Sequence, residues 1–177
     1  MKNKKKITLL EDWYRQDMLH LYNYIVYRIP DEIIAEEILM VTCDRALTHL
    51  DQFDPRKGAF KAWMYGIARN ALTDHFRSRG TKVSEISLDA LPPIQGKASS
   101  PEEKAIQAEQ FGQIILLMKH LSEKEREALA LRYGSELKYQ EIAEVMNTSI
   151  ENVGVLLHRA LHKLKNLMNE KEEEHEH

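Results

Sequence analysis

The chain has 177 residues, 43% of them hydrophobic and 30% charged, with only 7 glycines and 5 prolines. It is too apolar to be disordered, too poor in turn formers for a hairpin-rich fold, and without any run near the roughly 18 apolar residues of a membrane span. A formal net charge of −3 excludes uniform attraction to nucleic acid and directs attention to how the charge is distributed.

In chain order, the basic start MKNKKKITLLEDWY is broken by charge too early to be a signal peptide. Leu19, Tyr22, Ile25, Val26 and Ile29 recur at helical spacing, as do Ile34, Ile38, Val41, Ala46 and Leu50 less strictly. Pro30 closes the first of these helices and Asp31 is placed to cap the next. LDQFDPRKGAF reads as a loop, and a further helix is expected from about Ala59 to Ser78. The stretch 81–100, TKVSEISLDALPPIQGKASS, loses the helical period and reads as a flexible linker. Ser100 with Pro101 and Glu103, then Ser122 with Glu125, carry the signature of helix starts. Four helices are expected beyond the linker, near 101–120, 123–133, 138–146 and 150–168. No strand pattern or repeat is visible. The expected fold is all-α, with two small helical domains, 1–80 and 101–168, on the linker 81–100, and an acidic tail 169–177 of five glutamates and one lysine.

Charge is segregated along this plan. Residues 29–54 hold seven acids against one strong base, Arg45, whereas 55–82 hold seven bases against one acid, Asp74. An acidic face beside a basic one predicts two kinds of partner. On the helix 59–78, Phe60, Trp63, Met64, Ile67, Ala68, Ala71, Leu72 and Phe76 form one apolar stripe. Lys61, Tyr65, Arg69, Thr73 and Arg77 advance by four along another face, with Asn70 beside them and Arg56 and Lys57 in the loop before. Cations neutralise phosphates, an interleaved aromatic stacks on an unpaired base, and Asn offers donor and acceptor to a base edge. A solvated helix face with a half-buried tyrosine would show the same stripe.

The segment YQEIAEVMNTSIENVGVLLHRALHKLK, 139–165, reads as a helix-turn-helix. Asn147 stands at the turn, where a left-handed residue is needed, and Ser149 is placed to cap the second helix. On that helix Val153, Leu157, Ala160, Leu161, Leu164 and Met168 fall on one side and are expected in the core. Glu151, Val155, His158, Arg159 and His162 lie opposite, with Asn152 at the margin and Leu156 and Gly154 on the two boundaries. Val155 suits a thymine methyl, and Arg159, Lys163 and Lys165 suit phosphates. A structural hairpin or dimerisation unit would share this pattern.

Nothing points to an enzyme. No Gly-rich phosphate loop is present, Asp74–His75 lacks a nucleophile, and His158 with His162 gives two metal ligands without a third. No catalytic residue, metal, cofactor or small-molecule substrate is therefore expected. Cys43 alone permits no internal disulfide and fits a reducing cytosol, so a cytoplasmic location is expected.

Both halves together resemble the extracytoplasmic-function (ECF) group of the sigma-70 family of bacterial RNA polymerase sigma factors, over about residues 10–168. The run F-x-A-W-x-Y-x-I-A-R-N at 60–70 is similar to the group's second conserved region, and L-x-x-x-E-R-E-x-L-x-L-R-Y at 121–133 to its fourth. The resemblance implies a subunit that joins core RNA polymerase, directs it to promoter DNA and helps open the duplex, and family members are often held by an anti-sigma factor. It places Arg56, Lys57, Lys61, Tyr65, Arg69, Asn70, Thr73 and Arg77 at the −10 element. It places Ser149, Glu151, Asn152, Val155, His158, Arg159 and Lys163 at the −35 element, and the linker in the polymerase's channels. The family's core-binding motif D-L-V-Q-E falls on Glu37, Ile38, Leu39, Met40 and Val41, so the contact set becomes Glu36, Glu37, Met40, Val41 and Asp44, more apolar than usual. Where recognition helices of the family often read V-K-S-R, this chain has Val153, Gly154, Val155 and Leu156, which implies weaker, less salt-sensitive −35 binding. The competing expectation is a sigma-like helix-turn-helix regulator or protein-interaction module that forms no holoenzyme.

Overall fold

The computed structural model describes residues 2–79 and 100–175. Among these residues the chain forms seven α-helices and no strand. Helices α1 (Lys2–Arg28), α2 (Glu32–Thr48) and α3 (Phe60–Arg79) make a first bundle; α4 (Pro101–Met118), α5 (Glu123–Leu129), α6 (Tyr139–Met146) and α7 (Ile150–His175) make a second. The expected linker lies, apart from Ser100, outside the described residues.

Local chemistry sets the boundaries. Pro30 follows the end of α1, and the Asp31 carboxylate accepts from the Ile34 N–H at 3.0 Å to start α2. Ser100 accepts from the Glu103 N–H at 3.2 Å, and Ser122 and Glu125 cap α5 reciprocally at 3.3 and 2.8 Å. The Lys138 N–H donates to the Glu141 carboxylate at 2.7 Å to start α6. Asn147 ends α6 at φ 51°, ψ 56°, the left-handed conformation its amide tolerates better than most side chains do. Between α2 and α3 the Lys6 ammonium reaches the carbonyls of Asp51 and Phe53, both at 2.7 Å, while Phe53, Phe60 and Trp63 pack ring on ring. That cluster fixes the loop carrying Arg56 and Lys57 against the start of α3.

Several expectations are corrected. The helix expected to run to 133 stops at Leu129 and widens into a π turn, Ala130–Gly134, closed by Ser135 N–H on the Ala130 carbonyl at 3.2 Å. Helix α7 continues to His175 rather than ending at 168. Leu161 and Met168 are exposed, not core; they line an open apolar groove together with Tyr27, Leu117 and Met118. Leu19 and Val41 are exposed as well.

The two expected helical domains are the two bundles. They do not stand apart: the apolar core runs from one into the other without a break. The C-terminal third of α1 packs on the π turn, and α3 packs on α6.

Candidate nucleic-acid and polymerase interfaces

On α3 the stripe of cations and tyrosine divides into two halves. Asn70, Thr73 and Arg77 are exposed, with the Thr73 hydroxyl donating to the Arg69 carbonyl at 2.8 Å. In the loop before, Lys57 is exposed and Arg56 pairs with Asp54 at 2.8 Å, an exchange that lowers the Asp54 carboxyl below its usual range. Lys61, Tyr65 and Arg69 are partly or fully covered instead, with partners in both α1 and the second bundle. Lys61 Nζ lies 3.1 Å from Asp17 and 3.9 Å from Glu141 of α6. Tyr65 is fully buried, its ring 5.5 Å from that of Tyr24 in an edge-on arrangement. Burial pushes its phenol well above the usual tyrosine range. Arg69 Nε stands 3.8 Å from Glu127 of α5.

Glu127 is the centre of this seam. Its carboxylate accepts from the Tyr24 hydroxyl at 2.7 Å and pairs with Arg28 at 2.9 Å; the Glu127 and Arg28 side chains are only 5% and 4% exposed. Arg28 also pairs with Glu123 and lies 5.9 Å from the Phe76 ring centroid. Burial opposes the Arg28 charge, but Glu127, Tyr24 and Glu123 outweigh it and hold the guanidinium above its ordinary value. Sequence reasoning gave Glu127 and Arg28 no role. Each sits in an ordinary helical pattern, and their meeting across 95 or more positions leaves no local signal.

On α7, Ser149 accepts from the Asn152 N–H at 3.1 Å and Thr148 accepts from the Asn152 side-chain amide at 2.8 Å, which fixes that amide at the helix start. Hydrogen bonds from its own backbone N–H and from the Ser149 hydroxyl hold the Glu151 carboxyl below its ordinary value. Glu151, Asn152, Val155, His158 and Arg159 share an exposed face, the His158 and His162 rings stacking with centroids 6.4 Å apart. Lys163 lies elsewhere: its ammonium is 2.9 Å from both oxygens of buried Glu125, joining α7 to the capping box of α5.

On α2, Ile38 is buried and Leu39 half-buried, so Glu36, Glu37, Met40, Val41 and Asp44 project outward. Ile33 and Met40 are each 72% exposed and Leu47 61%, which makes an apolar row at seven-residue intervals with acids between. Ile33 and Leu47 were missed from sequence. The sign was there: α2 has one more apolar stripe than its own core requires.

Residues 13–81 match the family described as Sigma-70 region 2, and residues 111–164 match Sigma-70, region 4. The chain is 34% identical to the ECF RNA polymerase sigma factor SigM of Bacillus subtilis over 161 residues, covering 90% of this chain and 95% of that protein. It is 31% identical to the RNA polymerase sigma factor SigZ of the same organism, covering 90% and 86%. The fold is similar to that of the sigma factor RpoE solved with the anti-sigma factor NepR from Bartonella quintana, with a TM-score of 0.69 at 21% identity over 90% of this chain and 96% of that one. It is also similar to CnrH solved with the cytosolic domain of CnrY, with a TM-score of 0.62 at 21% identity over 90% and 87%. The chain belongs to the ECF group of the sigma-70 family, the RNA polymerase subunits that bind the core enzyme and direct it to promoters.

Proposed function

We propose that this sigma factor docks on core RNA polymerase through the outward face of α2, reads the −10 element with α3 and the loop before it, and reads the −35 element with α7. The observation that carries the docking assignment is the exposure of Glu36, Glu37, Met40, Val41 and Asp44 on one face, extended by Ile33 and Leu47. Apolar side chains with acids between them suit a basic helical surface with an apolar ridge, and little of the burial is offset by desolvated charge.

Arg56, Lys57, Asn70, Thr73 and Arg77 are accessible for −10 contacts, whereas Tyr65 is buried against Tyr24 and Lys61 and Arg69 lie beside carboxylates. On α7, Glu151 can accept from a cytosine amine, Asn152 can address an adenine, Val155 can meet a thymine methyl, and Arg159 can hold phosphate. Ser149 fixes the helix start, and Lys163 serves the α5–α7 junction. The site of action is the cytoplasm; among the described residues no helix is long and apolar enough to cross a membrane. An anti-sigma protein is the further partner we infer, as the RpoE relative in fold was solved with one.

The test is capture of core RNA polymerase by the tagged protein at physiological salt. A stoichiometric complex is expected, weakened by Met40→Asp. No complex would overturn the docking assignment and favour a DNA-binding regulator that acts without the polymerase.

A further inference from the structure

We propose that the first turns of α1 extend the −10 interface, with Lys4 and Lys5 holding DNA phosphates beside the bases that α3 and the loop before it address. The proposal rests on the nucleic-acid reading of α3 and that loop given above. What it adds is a sequence-independent hold on the backbone by residues that lie before the matched segment 13–81.

Lys6 places this turn. Its ammonium donates to the carbonyls of Asp51 and Phe53, both at 2.7 Å, which ties the start of α1 to the loop that carries Arg56 and Lys57. Lys6, Leu10, Trp13 and Asp17 follow at steps of four, three and four, so they share one face. Trp13 is buried on that face and Leu10 packs on the core, which holds the next two turns in place. Lys4 and Lys5 project from the other sides, exposed and with no ion-pair partner among the described residues. Helical side chains lean toward the N-terminus, so both ammonium groups are carried past the open end of α1.

The cations of α1 and of the loop form one patch. The backbone at Arg56 lies within about 11 Å of that at Phe53, three residues before it. Phosphates on one strand of a duplex follow each other at about 3.4 Å along its axis, so the patch spans several of them. Lys4, Lys5, Lys6, Arg56 and Lys57 stand there against Asp51 and Asp54, and Arg56 already engages Asp54 at 2.8 Å. Arg56 first, then the charges of Lys57 and Lys6, hold the Asp54 carboxyl below its ordinary value, so the lysine of α1 and the loop cations act on the same carboxylate. A lysine-rich helix start would also suit an anionic membrane surface, but that use needs an apolar face beside the charge. Ile7 and Leu9, the exposed apolar residues next to these lysines, stand about 160° apart around the helix and make no such face.

The test uses the full chain assembled with core RNA polymerase and a labelled duplex spanning a transcript start mapped with the parent. Affinity is measured at several salt concentrations for the parent, for Lys4→Gln with Lys5→Gln, and for Lys57→Gln. Lys119→Gln with Lys124→Gln makes an equal charge change at exposed sites of the second bundle. The α1 pair is expected to flatten the plot of log affinity against log salt by about two and to weaken binding at least tenfold at physiological salt, with unchanged helix content. Lys57→Gln is expected to flatten it by about one, and the distant pair not at all. An unchanged slope in the α1 pair beside a change in Lys57→Gln would overturn the proposal and leave the −10 reading standing. No change in either would overturn that reading, and the proposal with it. An equal change in the distant pair would reduce the effect to net charge and overturn the proposal as well. Binding of the parent to phosphatidylglycerol vesicles, lost in the α1 pair while promoter affinity is unchanged, would assign the lysines to a membrane surface instead.

Discussion

Gly154 occupies the outward side of the recognition helix, where a Cβ would meet only the Tyr139 ring edge at 3.9 Å. The position therefore has room for a side chain, and the charge lacking from the middle of α7 can be restored. Gly154→Lys is expected to tighten binding to a −35 duplex and to steepen the dependence of log affinity on log salt by about one, measured by titration at several salt concentrations. Lys163 performs a different task, holding Glu125. Burial pushes the Glu125 carboxyl up, but the Lys163 ammonium and the Ser122 backbone and hydroxyl outweigh it and leave it below its ordinary value. A depressed folded-state value stabilises the protein above the unfolded value of about 4.3 and is lost as pH falls through the folded one. Lys163→Met is accordingly expected to lose about 1 kcal/mol at pH 7, a figure reduced by the half-exposed lysine, with the difference from the parent shrinking toward zero near pH 3 in denaturant titrations.

At the scale of single helices, α2 is a two-sided element. Ala35, Ile38 and Ala46 bind it to its own bundle, while Ile33, Met40 and Leu47 face outward between acids. A large apolar side chain buried on docking contributes about 1.5–3 kcal/mol. Met40→Asp is expected to weaken core polymerase binding at least tenfold, and Ile33→Ala to weaken it less, both without loss of helix content; equilibrium binding to labelled core enzyme measures this. Helices and their starts were legible in the sequence because caps and periodicity are local: Asp31, Ser100, Ser122 and Ser149 all accept the backbone N–H that their positions predict. The π turn was not legible, since Ala130–Gly134 departs from α-helix for a tertiary reason, the approach of α1 to Gly134. Leu161 and Met168 sit on the wheel's apolar side, yet no neighbouring helix comes near enough to cover them.

For the whole molecule, the relation of the two bundles decides which surfaces are available. The sequence marked Lys61, Tyr65 and Arg69 by their spacing and allowed a half-buried tyrosine, but not one buried completely. Its ring partner, Tyr24, comes from α1, and pairings such as Tyr24 with Glu127, 103 residues apart, leave no trace in a local pattern. Tyr24 and Tyr65 also set the alkaline limit of this arrangement. Burial raises both phenols above their usual range, for Tyr24 with the Glu127 carboxylate adding to the effect. Their contribution is fully present below the unfolded value of about 10 and is lost as pH rises beyond it. Thermal stability is thus expected to hold from pH 8 to about 10 and then to fall, with a smaller fall in Tyr65→Phe, as melting curves across that range would record.

Promoter-directed initiation is the activity on which the assigned surfaces converge. Core RNA polymerase mixed with this chain and a library of genomic fragments, with transcript starts then sequenced, addresses it most directly. Starts that share paired motifs upstream, absent with core enzyme alone and reduced by Met40→Asp and by Arg77→Ala, are the expected result. Starts no more focused than those of core enzyme alone would contradict it.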